Sequence, residues 1–121
     1  MPADQRLTLL ARLMDVAVLS NEVHAANLAN SNTPGYRAKA VAFDSAFQSA
    51  LDSGGPEAAE QVEPSIIEPH TTPVQADGND VSSDNEIIAS AKNQALYDAY
   101  VQMARGELRL LGVAVTPATE G

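Results

Sequence analysis

Between Ala25 and Ala38 the chain passes within a few positions from helix-forming to turn-forming residues, and that change fixes where its first long element must stop. Up to Asn30 the residues suit a helix whose apolar face includes Val23, Ala26 and Leu28. Thr33-Pro34-Gly35-Tyr36 then puts Pro and Gly at the two central positions of a type II turn, where the first needs a fixed negative φ and the second a positive one. A helix ends here and the chain reverses or bends.

Ahead of the turn, Leu9, Leu10, Leu13, Val16, Ala17 and Val23 recur at three- and four-residue spacing. This predicts an amphipathic helix over 4–30, about 40 Å long, with Asp4 as its N-cap. Ser20 and Asn27 fall where a strict seam would be apolar, which weakens an autonomous coiled coil at those points. A second helix is expected over 83–115, because Ser83 and Glu86 have capping-box spacing directly before Ile87 and Ile88. Gln94, Tyr97, Val101, Ala104, Leu108, Leu111 and Val115 then step by threes and fours in a coiled-coil-like seam until Pro117 stops it.

The expected fold is therefore all-α. Two long terminal helices at either end of a poorly apolar middle bury their stripes most economically as an antiparallel coiled-coil-like pair, within a single domain spanning 1–121. Between them the sequence predicts a turn and extended segment over 31–42 and a short helix over 43–51 with Phe43, Phe47 and Leu51 on one face. An irregular acidic linker follows over 52–82, punctuated by Gly54, Gly55, Pro56, Pro64, Pro69, Pro73 and Gly78, with Ser65-Ile66-Ile67 as a brief extended contact.

Composition narrows the function. The chain has no Trp, few aromatic residues and much Ala, so its core is thin or shared with neighbours. Its net charge is -9, and every charged residue between Lys39 and Lys92 is acidic, which argues against nucleic-acid binding. The lack of Cys excludes disulfides and thiolate chemistry. The first residues offer neither an uninterrupted apolar run for a secretory signal nor a membrane span. Arg37 and Lys39, beside the acidic stretch, are expected to pair with acids across a subunit boundary, weakly if exposed.

No reacting constellation is visible. Asp77 to Glu86 is rich in Asp and Asn, but a calcium loop starting at Asp77 would put Val81, Ser82 and Ile88 where an oxygen ligand, Gly and Glu belong. That stretch reads as a turn and a helix cap. His24 and His70 lie in different segments with no further ligand spacing and read as surface residues. There is no nucleophile elbow, P-loop or dinucleotide fingerprint. We expect no catalytic residue, cofactor, metal or small-molecule substrate.

The run Asn27-Leu28-Ala29-Asn30 followed by Thr33-Pro34-Gly35-Tyr36 resembles the signature of bacterial flagellar axial proteins, the rod, hook and hook-associated components. The short chain, the Phe43 to Leu51 segment, and Asp77-Gly78-Asn79 with Val81 before the last helix resemble the FlgB-type proximal rod proteins. That likeness continues through Glu86, Asn93, Tyr97 and Leu108 to Leu111. The resemblance implies a structural subunit of the basal-body rod, exported without a cleaved signal peptide to the periplasmic side. Its implied partners are other flagellar rod proteins and the basal-body protein that joins the rod to the membrane ring and export gate. The eight motif residues would then form the assembly interface, with Tyr97, Val101, Ala104, Leu108 and Leu111 as the C-terminal seam. A small cytosolic helical-hairpin adaptor or export chaperone is the rival reading.

Overall fold

A computed structural model of the protein describes residues 1–112. Helix α1 (Ala3–Ala29) is followed by strand β1 (Ala40–Ala42), helix α2 (Asp44–Glu60), strand β2 (Ser65–Ile67) and helix α3 (Ser83–Leu110). The two long helices lie against each other and run antiparallel. Arg6 near the start of α1 pairs with Glu107 near the end of α3, while His24 near the end of α1 meets Glu86 in the first turn of α3. The mostly-α hairpin expected from the two periodic ends is therefore present.

Apolar spacing built α1 as anticipated. Leu9, Ala17 and Val23 are buried, and Leu10, Leu13 and Val16 half-buried. Its start differs, since Pro2 holds the N-cap position in extended conformation and Asp4 sits inside the first turn, where its charge complements the helix dipole. On α3, Tyr97, Val101, Ala104 and Leu108 are half-buried, but Gln94 and Leu111 are exposed. The contact face is rotated from the apolar seam because polar residues make the specific links: Asn93 Nδ2 donates to Ala17 O at 2.6 Å across the pair. Val115 and Pro117 lie outside the described residues.

The middle of the chain is more ordered than its Gly and Pro content suggests. The helix expected over 43–51 runs on to Glu60, broken at Gly55 (φ 77°) with Pro56 immediately after it. Gly54-Gly55-Pro56 thus separates two helical pieces instead of ending one; Pro opens the second, where its missing N–H costs nothing. The second piece buries Ala59 completely. Strands β1 and β2 pair antiparallel with Val41 opposite Ile66, so the brief extended contact is a two-stranded ribbon within an otherwise helical fold. Phe43, buried at the start of α2, stacks on Phe47 with ring centroids 5.2 Å apart and anchors α2 beside the hairpin.

Candidate functional site

The end of α1 is closed by its own amides. Asn30 donates from Nδ2 to Ala26 O at 2.8 Å and accepts from the Thr33 hydroxyl at 3.1 Å. The Tyr36 N–H then bonds Thr33 O at 3.2 Å, and Gly35 has φ 76°, completing the type II geometry that Pro34-Gly35 requires.

A second turn docks on the first. Gly35 N donates to Asp77 O at 2.9 Å, and a Cβ built on Gly78 (φ 87°) would lie 3.2 Å from Gly35 Cα. Both positions favour Gly, because positive φ strains other residues, and at Gly78 a Cβ would in addition crowd the Gly35 backbone, which would have to give by a few tenths of an ångström. From this turn the Asn79 side chain, 0% exposed, reaches back and donates to Asn30 O and Thr33 O, each at 2.8 Å. Its Oδ1 accepts the Val81 N–H at 2.7 Å.

Asn27, also 0% exposed, holds the chain on its far side. Its Nδ2 donates to Lys39 O at 2.7 Å and to Glu86 Oε1 at 2.9 Å, while Oδ1 accepts Lys39 N–H at 3.0 Å and the Tyr36 hydroxyl at 3.2 Å. All four capacities of the amide are used, and the paired Lys39 N–H and C=O dictate which way it points. One side chain thereby acts as a strand partner for the segment leaving the turn.

Glu86 departs from the expected capping box. Ser82, not Ser83, is the N-cap, its hydroxyl accepting Asn85 N–H at 3.3 Å. Glu86 is thus free to bind Asn27 through one oxygen and to lie 2.6 Å from His24 Nδ1 through the other, where a carboxylate accepts the ring N–H. His24 is accordingly packed between α1 and α3 rather than on the surface.

The basic residues after the turn likewise pair within the chain. Asp80, buried, accepts Arg37 Nε at 2.9 Å and the Ala38 N–H, while Lys39 lies 4.4 Å over the Tyr36 ring and 4.0 Å from Glu68. The subunit-bridging role expected for Arg37 is corrected accordingly, because its guanidinium meets Asp80 of its own chain. Burial pushes the Asp80 carboxyl upward, but the Ala38 N–H and Arg37 outweigh it and hold the group below its ordinary value. A depressed carboxyl stabilises the fold above its unfolded pKa of about 3.9, and that stabilisation disappears as pH falls through the lower folded value. Asp80→Asn should thus lower stability by about 2 kcal/mol at neutral pH, with the gap to the parent closing in acid. Urea melts at a series of pH values read both effects.

The motif residues therefore divide. Asn27 is buried and Leu28, Asn30 and Tyr36 half-buried, all on the inner side; Ala29, Thr33, Pro34 and Gly35 face solvent. Sequence reasoning missed Asn79, Asp80, His24 and Glu86 as members of this junction. The signals were the Asp-Gly-Asn turn and the basic pair beside an acid-rich stretch, but neither says which chain supplies the partner. Among the described residues, no group of three or more His, Cys, Asp or Glu is placed to hold a metal ion, and no helix is long and apolar enough to cross a membrane.

A comparison with curated proteins finds no match. Residues 22–37, however, match the family model described as flagella basal body rod protein. The segment runs from the last turns of α1 through the type II turn to Arg37, and it contains Asn27, Asn30 and Tyr36 of the buried junction. The stretch that these amides hold in place is thus the one by which the chain resembles the flagellar basal-body rod family.

Proposed function

We infer that the protein is a structural subunit of the proximal rod, of the FlgB type, which assembles through its terminal helices into the torque-transmitting shaft and performs no chemistry. The observation that carries this reading is the coincidence of the family-matched segment with a rigid junction. The match covers residues 22–37, and the junction ties the end of α1 to the start of α3 through fully satisfied buried amides. On this reading the motif sets the angle at which the chain leaves the inner helix. Its outward-facing Thr33, Pro34 and Gly35 meet neighbouring rod proteins, and the seam of α3 supports the terminal pair. The protein reaches the periplasmic side without a cleaved signal and adjoins the basal-body protein that links the rod to the membrane ring and export gate.

Deleting the gene and examining cells by electron microscopy and motility assay tests this directly, with complementation by Pro34 and Gly35 variants. Loss of flagella, and co-purification of the protein with hook–basal bodies, is expected. Intact flagella in the deletion, or a protein that stays wholly soluble as an adaptor or chaperone would, overturns the reading. Within the seam, Leu108→Asp places a charge on a half-buried position and should destabilise the isolated hairpin by about 2 kcal/mol. Leu111→Asp alters an exposed side chain and should shift its stability by no more than about 0.5 kcal/mol while still blocking incorporation. Chemical denaturation alongside swimming assays separates the two.

A further inference from the structure

Asp77-Gly78 is the one place in the chain where an Asp or Asn is followed by Gly. At such a pair the side-chain carboxyl lies one peptide away from a main-chain nitrogen that no side chain shields, and the two can close a five-membered ring. Asp77 is exposed, so solvent reaches its carboxyl. Yet the same turn docks on Gly35, and the atoms the ring would use are already engaged. The Gly78 N–H donates to Gln75 O at 2.9 Å, Asp77 Oδ1 accepts the Asn79 N–H at 3.0 Å, and Asp77 O accepts the Gly35 N–H at 2.9 Å.

We propose that Asp77 is a site of spontaneous isomerisation to isoaspartate, guarded by the docked turn, so that each opening of the junction carries a chance of becoming permanent. The chemistry needs only water. The Gly78 nitrogen gives up its proton and bonds to Asp77 Cγ, while the carboxyl hydroxyl leaves with that proton as water; the ring is a succinimide. Water then adds to one of its two carbonyl carbons. Addition at Cγ breaks the new bond and restores Asp. Addition at the Asp77 main-chain carbon breaks its bond to Gly78 N, whose electron pair stays on nitrogen and takes a proton. The second course sends the main chain through Cβ and Cγ, adding one methylene to the backbone with no change in mass.

The closed turn opposes the first step. A nitrogen whose proton is held by Gln75 O does not shed it to solvent, and the carboxyl is tied to the residue beyond Gly78. That residue, Asn79, is itself fixed, its buried side chain bonded to Asn30 O and Thr33 O. Ring closure therefore waits for the turn to lift off, a local opening that costs less than unfolding the hairpin. After isomerisation the longer backbone puts Asn79 out of step with Asn30 and Thr33, and what was the Asp77 carbonyl is a free carboxylate. The dock cannot re-form, and a reversible opening has become irreversible.

Purified chains are held at about pH 6 and about 37 °C, in buffer and in about 6 M guanidinium chloride. Isoaspartate is counted by methyl transfer from an isoaspartyl methyltransferase and located by loss of Asp-specific proteolysis before residue 77. The rate at Asp77 should be at least about tenfold higher in denaturant than in buffer. Asn79→Ala, checked by circular dichroism for intact helices, should raise the rate in buffer at least about tenfold. In the parent, hydrogen-exchange protection of the Gly78 N–H should match the suppression of isomerisation within about threefold, because one opening exposes both; this holds the test should the variant not fold. Asp77→Ser, whose hydroxyl still accepts the Asn79 N–H, should remove most of the methyl acceptance formed in denaturant. A chain isomerised in denaturant and then refolded should unfold at a lower urea midpoint than a fresh one. Equal rates in buffer and denaturant, isoaspartate elsewhere but not at 77, a protected Gly78 amide beside a freely isomerising Asp77, or an unchanged midpoint overturns the proposal. None of these readouts involves assembly, so the rod reading stands or falls separately.

Discussion

Replacing Asn27 with Asp is expected to cost about 3 to 5 kcal/mol, which approaches the whole stability of a domain this small. The substitution is nearly isosteric, so no cavity forms and the loss is electrostatic. Asn27 Nδ2 donates to Lys39 O and Glu86 Oε1. An ionised carboxylate there has no N–H to give, leaves the Lys39 carbonyl unpaired, and sets a second negative charge against Glu86 in a buried place. Urea unfolding followed by circular dichroism measures the effect. Adding Glu86→Gln removes the like charge and supplies an N–H at position 86, so the double variant should recover at least about 1 kcal/mol. A parent-like midpoint for Asn27→Asp would mean that the junction does not hold the hairpin closed.

Phe43→Ala should cost about 3 to 4 kcal/mol for a different reason. Phe43 is buried where β1 passes into α2, stacked on Phe47 and bordering a small void shared with Leu13, Val16 and Tyr100. Truncation enlarges that void and releases α2. The transition midpoint in urea should fall while its steepness holds, since the surface exposed on unfolding changes little. A shift below about 1 kcal/mol would show that α2 is held mainly by its polar links, such as Gln5 to Glu57.

These two substitutions also mark what sequence can reveal. Phe43 stands in a period-four pattern with Phe47 and Leu51, and such local repetition announces a helix and its buried face; the two long helices were legible for the same reason. The extension of α2 beyond Leu51 was hidden because Gly54-Gly55-Pro56 contains the residues that end helices, and only packing of the segment around Ala59 shows a restart. Asn27 looked like an interruption in an apolar stripe. Its partners Lys39 and Glu86 are remote in sequence, and a buried amide is identifiable only once its four bonds are seen. The same non-locality misassigned Arg37, whose Asp80 partner lies across the whole middle segment. Ser83 and Glu86 illustrate a competing choice: correct spacing for a cap, with Glu86 better used by Asn27 and His24.

The rungs between α1 and α3 have a mechanical consequence. Apolar helix faces can slip along each other by a ridge at modest cost, because one methyl group replaces another. The pairs Arg6–Glu107, Ala17–Asn93, His24–Glu86 and Asn27–Glu86 are spread from one end of the hairpin to the other. Axial sliding would break all of them at once, and each has a direction as well as a distance. Load applied along either helix is therefore shared between both, and the pair resists shear as a single strut.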